Sequence, residues 1–160
     1  MNKSAIIQQI ILQLEDSLSI ALASANAAHE TATHEESVAE NKYDTFGLEA
    51  SYLADGLSRQ VSELKAAIQT YRNACFRDIS DGVVRLGALV TLELDADGQC
   101  LNYFLGPAGG GINVVSGDWG CKVITPNSPL GQALVGKEID DEVALLVNGA
   151  QQIFYLVEVK

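Results

Sequence analysis

Apolar residues at the start of the chain recur at helical spacing. Ile7, Ile11, Leu14, Leu18, Ala21, Ala25 and Ala28 follow alternating steps of four and three, which draws one seam along a helix. Neither Pro nor Gly occurs before Gly47. A second series, Phe46, Ala50, Leu53, Leu57, Val61, Leu64, Ile68, Tyr71 and Cys75, keeps the same spacing. Folded back antiparallel, facing residues have numbers summing to about 75, as in Ile7 with Ile68, Ile11 with Leu64, Leu14 with Val61 and Leu18 with Leu57. The shared register predicts an antiparallel helical hairpin over residues 1–77. Toward its far end Ala21, Ala25 and Ala28 face Leu53, Ala50 and Gly47, so the two helices can approach closely there. That contact is a reason to keep Gly47, which costs about 1 kcal/mol in a helix interior.

Beyond Cys75 the period changes. Residues 82–94 are rich in β-branched and aliphatic side chains, and Asp95, Ala96, Asp97 and Gly98 then supply turn chemistry, so a β-hairpin is expected with 99–105 as its return strand. Residues 106–111 read as a flexible loop, 122–125 as a strand, and 128–134 as a short helix with Pro129 in its first turn. Residues 143–147 and 153–159 form a closing hairpin through Asn148 and Gly149, a strong two-residue turn signal. The fold class is therefore α+β, a helical hairpin over 1–77 followed by a small antiparallel sheet with one helix over 78–160.

Between the two seams the chain is acidic. Glu30, Glu35, Glu36, Glu40, Asp44, Glu49 and Asp55 stand against the single base Lys42 in residues 29–55. Like charges crowded at the tip of a hairpin repel, so stability gives little reason to gather them. The net charge of -11 disfavours stable direct binding to nucleic acid, which draws affinity from Lys and Arg against phosphates, and favours a protein partner with a basic surface. No apolar run reaches the roughly 18 residues of a bilayer span. Gln8, Gln9, Gln13, Glu15 and Asp16 interrupt the first segment, so neither a secretory signal nor membrane association is expected and the expected compartment is the cytoplasm. Cys75, Cys100 and Cys121 are odd in number and widely spaced, which fits reduced packing residues.

Conventional catalytic constellations are weak. Gly109, Gly110 and Gly111 lack the Lys-Ser/Thr and helix of a phosphate-binding loop. His29 and His34 lie about 140° apart around a helix and cannot chelate one metal from one face. No Ser, His and Asp set or activated Cys stands out.

The run Ile124-Thr125-Pro126-Asn127-Ser128-Pro129-Leu130-Gly131-Gln132-Ala133-Leu134-Val135-Gly136-Lys137-Glu138-Ile139-Asp140-Asp141-Glu142-Val143 resembles the C-terminal signature of bacterial Gre transcript-cleavage factors. In that family an N-terminal antiparallel coiled coil precedes an FKBP-like sheet domain, the order and proportions read above. The tip resembles the family in part. Where the family has an Asp, an apolar residue, a variable residue and Glu-Asn, this chain has Ser37-Val38-Ala39-Glu40-Asn41. Glu40 and Asn41 match, Ser37 stands in place of the Asp, and Lys42-Tyr43-Asp44 departs from the usual Ala, Glu, Tyr order.

The resemblance implies a monomer that binds RNA polymerase, with Ser128, Pro129, Leu130 and Gly131 among the partner-binding residues. It implies that the coiled coil enters the secondary channel and places Ser37, Asn41 and Asp44 at the tip. There Glu40, assisted by Glu36, would help hold a magnesium ion shared with the polymerase during hydrolysis of backtracked RNA. The chain would have no cofactor of its own and would act on the polymerase's active site without being an enzyme itself. A carboxylate is a good magnesium ligand and a lone Ser hydroxyl a poor one, so Ser37 leaves open a regulator that occupies the channel without cleavage. A prolyl isomerase is the other alternative, drawing on Tyr103, Phe104, Trp119, Phe154 and Tyr155 for an aromatic-lined pocket.

Overall fold

A computed structural model of the chain describes residues 2–33, 46–147 and 149–160. Helix α1 runs over Lys3–Thr33 and helix α2 over Phe46–Asn73. Six strands and one short helix follow: β1 Leu89–Leu94, β2 Cys100–Leu105, β3 Asn113–Ser116, β4 Trp119–Ile124, α3 Pro129–Leu134, β5 Glu142–Val147 and β6 Ala150–Val159. The fold is α+β. Contacts divide the chain into two units, one of Met1–Ile10 with Thr70–Lys160 and one of Ile11–Gln69. The sheet-containing unit thus includes the start of α1 and the end of α2, whereas the sequence pattern draws its boundary at residues 77/78.

In the helical unit the apolar seams account for the buried side chains. Leu14, Ala21 and Ala28 on α1 and Val61 and Ile68 on α2 are buried, and Ile11, Leu18, Leu57 and Leu64 are half-buried. Leu53 departs from its seam, being 58% exposed. By length and composition α1 is apolar enough to cross a membrane, although Gln, Glu and Asp residues interrupt every continuous apolar run within it.

The sheet has the order β3-β4-β2-β1-β6-β5. The β1–β2 hairpin closes at the expected turn, where Leu94 N–H donates to Gln99 O at 3.0 Å and Gly98 N–H to Leu94 O at 2.8 Å. The β5–β6 hairpin pairs Val147 with Ala150, the geometry of a two-residue connection. The sheet is mixed, not antiparallel as expected, because β2 and β4 pair in parallel with Tyr103 opposite Lys122 and Leu105 opposite Ile124. Strand β3 was not expected at all. It is four residues long and hairpins directly onto β4, which begins at Trp119 ahead of the expected residue 122. A short strand between Gly-rich segments offers too few alternating positions to register as a period.

One sheet face carries the main core, where Val90, Leu92, Leu105, Ile124 and Leu156 pack with Leu134 of α3. Alternation along β2 turns Phe104 to the opposite face. There its ring meets Phe76, with centroids 5.7 Å apart, and Phe76 meets Tyr71 at 5.9 Å. Ile6 and Ile10, which lie off the seam read from the sequence, are fully buried in this unit. The first turns of α1 belong to a packed sheet domain as well as to a hairpin, so more than one helical face is covered. Of the three cysteines only Cys121 is a packing residue, and burial pushes its thiol up to about 11. Cys75 follows α2 and Cys100 opens β2, and both are exposed, contrary to the expectation from their spacing.

Candidate functional site

The tip residues Glu36, Ser37, Glu40, Asn41 and Asp44, together with His34, fall in residues 34–45, outside the described residues. The flanking helices are described up to Thr33 and from Phe46. Of the acids in the run, Glu30, Glu49 and Asp55 sit on these helices and are exposed. Asp55 is paired one turn on with Arg59 at 2.7 Å, so this carboxylate is partly neutralised at the end of the acidic stretch nearer the sheet in sequence. Among the described residues no three His, Cys, Asp or Glu side chains gather as a metal site.

The signature run is resolved throughout, and its residue choices have local causes. Ser128 is extended (φ -72°, ψ 154°) and caps α3, its hydroxyl accepting from Gly131 N–H at 3.1 Å and donating to Thr125 O at 2.7 Å. Thr125 O also accepts from Ser128 N–H at 3.0 Å. Gly131 is buried against this knot. A Cβ at that position would collide with the Thr125 carbonyl oxygen and come within 2.8 Å of its carbon. Leu130 is half-buried against the core, Leu134 is fully buried within it, and Pro129 is exposed. After α3, Val84 N–H donates to Lys137 O at 2.8 Å and Gly136 N–H to Val84 O at 2.9 Å, tying the run to the segment before β1. Asp141 then accepts from Glu138 N–H at 2.9 Å, and Asp140 adopts φ 73°, a left-handed conformation that Asp tolerates better than most residues.

Of the four residues assigned to partner binding, Ser128 and Gly131 therefore spend their polar groups and their volume inside the fold. Leu130 faces the core, and Pro129 presents itself outward. Sequence reasoning missed the apolar residues exposed around the same segments: Leu86, Val135 and Ile139. The two strands of chain that carry them are bonded together through Val84, Gly136 and Lys137. Beside them Arg85 pairs with Asp81 at 2.8 Å, and this bond holds the Asp81 carboxyl below its usual range. These positions are in loops, so no periodicity marks them; their signal was a large aliphatic residue with Gly or a charged residue beside it.

Two further features hold the start of α1 and the end of α2 within the sheet-containing unit. Tyr71 is buried, donates its hydroxyl to Ala108 O at 2.7 Å, and is held well above the usual phenol range by burial. Its hydroxyl lies where a Cβ of residue 106 would be, so Gly106 is required for this approach. Lys3 is buried and donates to Arg77 O at 2.8 Å, with Asp78 3.7 Å away. Burial lowers its pKa and Asp78 opposes the shift. The loop with Gly109, Gly110 and Gly111 uses its backbone internally, Gly111 N–H donating to Val123 O, and it leads into a strand instead of the helix of a phosphate loop.

The five aromatics considered for an isomerase pocket are not gathered. Tyr103 and Trp119 line one cleft of about 450 Å³, whereas Phe104 is buried against Phe76, Phe154 lies in the core and Tyr155 is exposed. Sheet alternation separates neighbours that are adjacent in sequence.

Comparison with known proteins bears on the same region. The family model described as transcription elongation factor GreA/GreB, C-terminal, matches residues 79–160. Among solved structures the chain is similar to GreA factor homolog 1 (Gfh1) of Thermus thermophilus at 22% identity, covering 94% of each chain with a TM-score of 0.41. It is similar to Gfh1 of Thermus aquaticus at 21% identity, with 98% of this chain and 94% of that one covered and a TM-score of 0.40. For GreA/GreB of Nitrosomonas europaea the identity is 20%, the coverage 71% and 92%, and the TM-score 0.40. No curated protein sequence matches the chain.

Proposed function

Because the chain belongs to the GreA/GreB family of transcription elongation factors, we propose that it binds RNA polymerase in the cytoplasm and carries the acidic stretch between its two helices through the secondary channel to the polymerase active centre. The observation that carries this reading is the family match over 79–160, which includes the whole knot built by Thr125, Ser128 and Gly131. On this reading the sheet-containing unit docks. Pro129 is exposed, Ser128 and Gly131 set the shape that it sits on, and Leu86, Val135 and Ile139 supply apolar contact area.

The chemistry belongs to the polymerase. When bound there, a second magnesium ion supplies electrostatic stabilisation for hydrolysis of backtracked RNA. The contribution of this chain is carboxylate oxygen, from Glu40 and from Glu36 four residues earlier. Ser37, where the family has Asp, favours a second reading in which the chain occupies the channel and regulates elongation without stimulating cleavage.

Stalled, backtracked complexes distinguish the two. If the tip assists cleavage, wild type stimulates it and Glu40→Ala abolishes the effect, with Glu36→Ala reducing it. Activity gained only in Ser37→Asp identifies the non-cleaving regulator. Strong stimulation by wild type that Glu40→Ala leaves untouched overturns the assignment of Glu40.

A further inference from the structure

Helix α1 is apolar on two sides. Its seam residues Leu14, Ala21 and Ala28 are buried, yet Leu12 and Ile20 are 59% and 69% exposed. At the helical repeat Asp16, Ile20, Ala23 and Ala27 all fall within about 80° of Leu12, an arc that lies opposite the buried seam. Asp16, Ala23 and Ala27 are exposed as well. Together they form a stripe about 22 Å long from Leu12 to Ala27. Helix α2 is built differently. Between Ala54 and Asn73 it exposes no large apolar residue, and Arg59, Glu63, Lys65 and Gln69 are exposed instead. A helix that is apolar all round is normally covered all round, but only 22% of the apolar stretch of α1 is buried by the rest of the chain. Exposed apolar residues scattered singly need no explanation, whereas a continuous patch marks a contact surface.

Charge narrows what covers the stripe. From Ser4 to Thr33 the helix has neither Lys nor Arg, and Asp16 stands in the middle of the stripe. Among the described residues Asp16 makes no ion pair. A second copy would bring the same carboxylate and another net charge of -11 to the contact. An anionic lipid surface would repel a helix without a base. The surface that fits both features is a protein one, apolar along the stripe and carrying Lys or Arg opposite Asp16.

We propose that α1, and not α2, turns this stripe against the polymerase surface that the helices pass. Leu12 and Ile20 supply the apolar contact, Ala23 and Ala27 let the opposing surface come close, and Asp16 pairs with a basic side chain there. The inference rests on the polymerase reading and adds to it which side of the helical pair makes the contact. It also accounts for the difference between the two helices, since α2 then faces water along the same length.

Equilibrium binding of the labelled full chain to purified RNA polymerase core tests it. The double variant Leu12→Gln with Ile20→Gln is expected to raise Kd about tenfold or more, and Asp16→Lys to raise it as well. Ala66→Gln, at an exposed position of α2, is expected to leave Kd within about twofold. All of these positions are exposed, so each variant should keep the wild-type urea midpoint. Saturable wild-type binding that the double variant matches overturns the stripe and leaves the polymerase reading standing; absence of wild-type binding overturns both. Equal weakening by Ala66→Gln and by the double variant shows that the helices are not distinguished, and overturns the assignment to α1. Sedimentation equilibrium and flotation with zwitterionic vesicles cover the other occupants: a wild-type dimer, or lipid binding, that the double variant abolishes would assign the stripe to a second copy or to a membrane and overturn the proposal.

Discussion

Gly131→Ala separates local helix propensity from the packing of the signature knot. Ala is the better helix former by about 1 kcal/mol, so if only the helix mattered the substitution would stabilise the chain. The structure predicts the opposite sign. The new methyl would meet the Thr125 carbonyl, a backbone group that no side-chain rotation can clear. Moving that carbonyl strains the two bonds it accepts, from Ser128 N–H at 3.0 Å and Ser128 Oγ at 2.7 Å, each worth about 1 kcal/mol. Overpacking adds about 1–3 kcal/mol. Set against the propensity gain, the net is a loss of about 2–4 kcal/mol. Urea unfolding of the full chain, followed by far-ultraviolet circular dichroism, measures it. Ser128→Ala serves as a comparison that removes the hydroxyl's bonds to Gly131 N–H and Thr125 O without any clash, with a cost of about 1–2 kcal/mol. A Gly131→Ala chain as stable as wild type, or more so, would refute the account of the knot.

Three further outcomes follow from burial. Under native conditions a thiol reagent should label Cys75 and Cys100 quickly and Cys121 only on unfolding; because the folded Cys121 pKa of about 11 lies above its ordinary value of 9.0, its contribution is intact below pH 9 and lost as pH rises toward 11. A Cys121→Ala chain should lack that part of the alkaline decline. Leu14→Ala should cost about 2–5 kcal/mol, whereas Leu53→Ala, on the same predicted hairpin but 58% exposed, should fall within about 0.5 kcal/mol of wild type. Tyr71→Phe removes the bond to Ala108 O and should cost about 1 kcal/mol by urea unfolding; no change would mean that this bond does not help fix the root of α2.

The sequence was most informative where one face of an element is buried and least informative where two are. Leu14, Ala21 and Ala28 could be read from spacing because a single seam accounts for their burial. Ile6 and Ile10 could not, since the start of α1 is also part of the sheet-containing unit, and Leu53 kept the spacing without the burial. Hairpins with explicit turn chemistry, at Asp97-Gly98 and at the β5–β6 connection, were legible. The parallel β2–β4 pair was not, because which strands pair across a Gly-rich excursion is a tertiary outcome and leaves no local mark. Within the candidate site, the run from Ile124 to Val143 could be matched as a pattern, but the separate duties of its residues were hidden. Only the geometry shows that Ser128 and Gly131 serve the knot while Pro129 faces outward. The outward apolar residues Leu86, Val135 and Ile139 carried no periodic signal in any case.

The most direct test of the polymerase reading is equilibrium binding of the fluorescently labelled full chain to purified RNA polymerase core, compared among wild type, Pro129→Ala and Glu40→Ala. The account predicts saturable binding by wild type, weaker binding by Pro129→Ala, and nearly unchanged binding by Glu40→Ala, whose role lies at the active centre. Absence of saturable binding by the folded wild-type chain would contradict it.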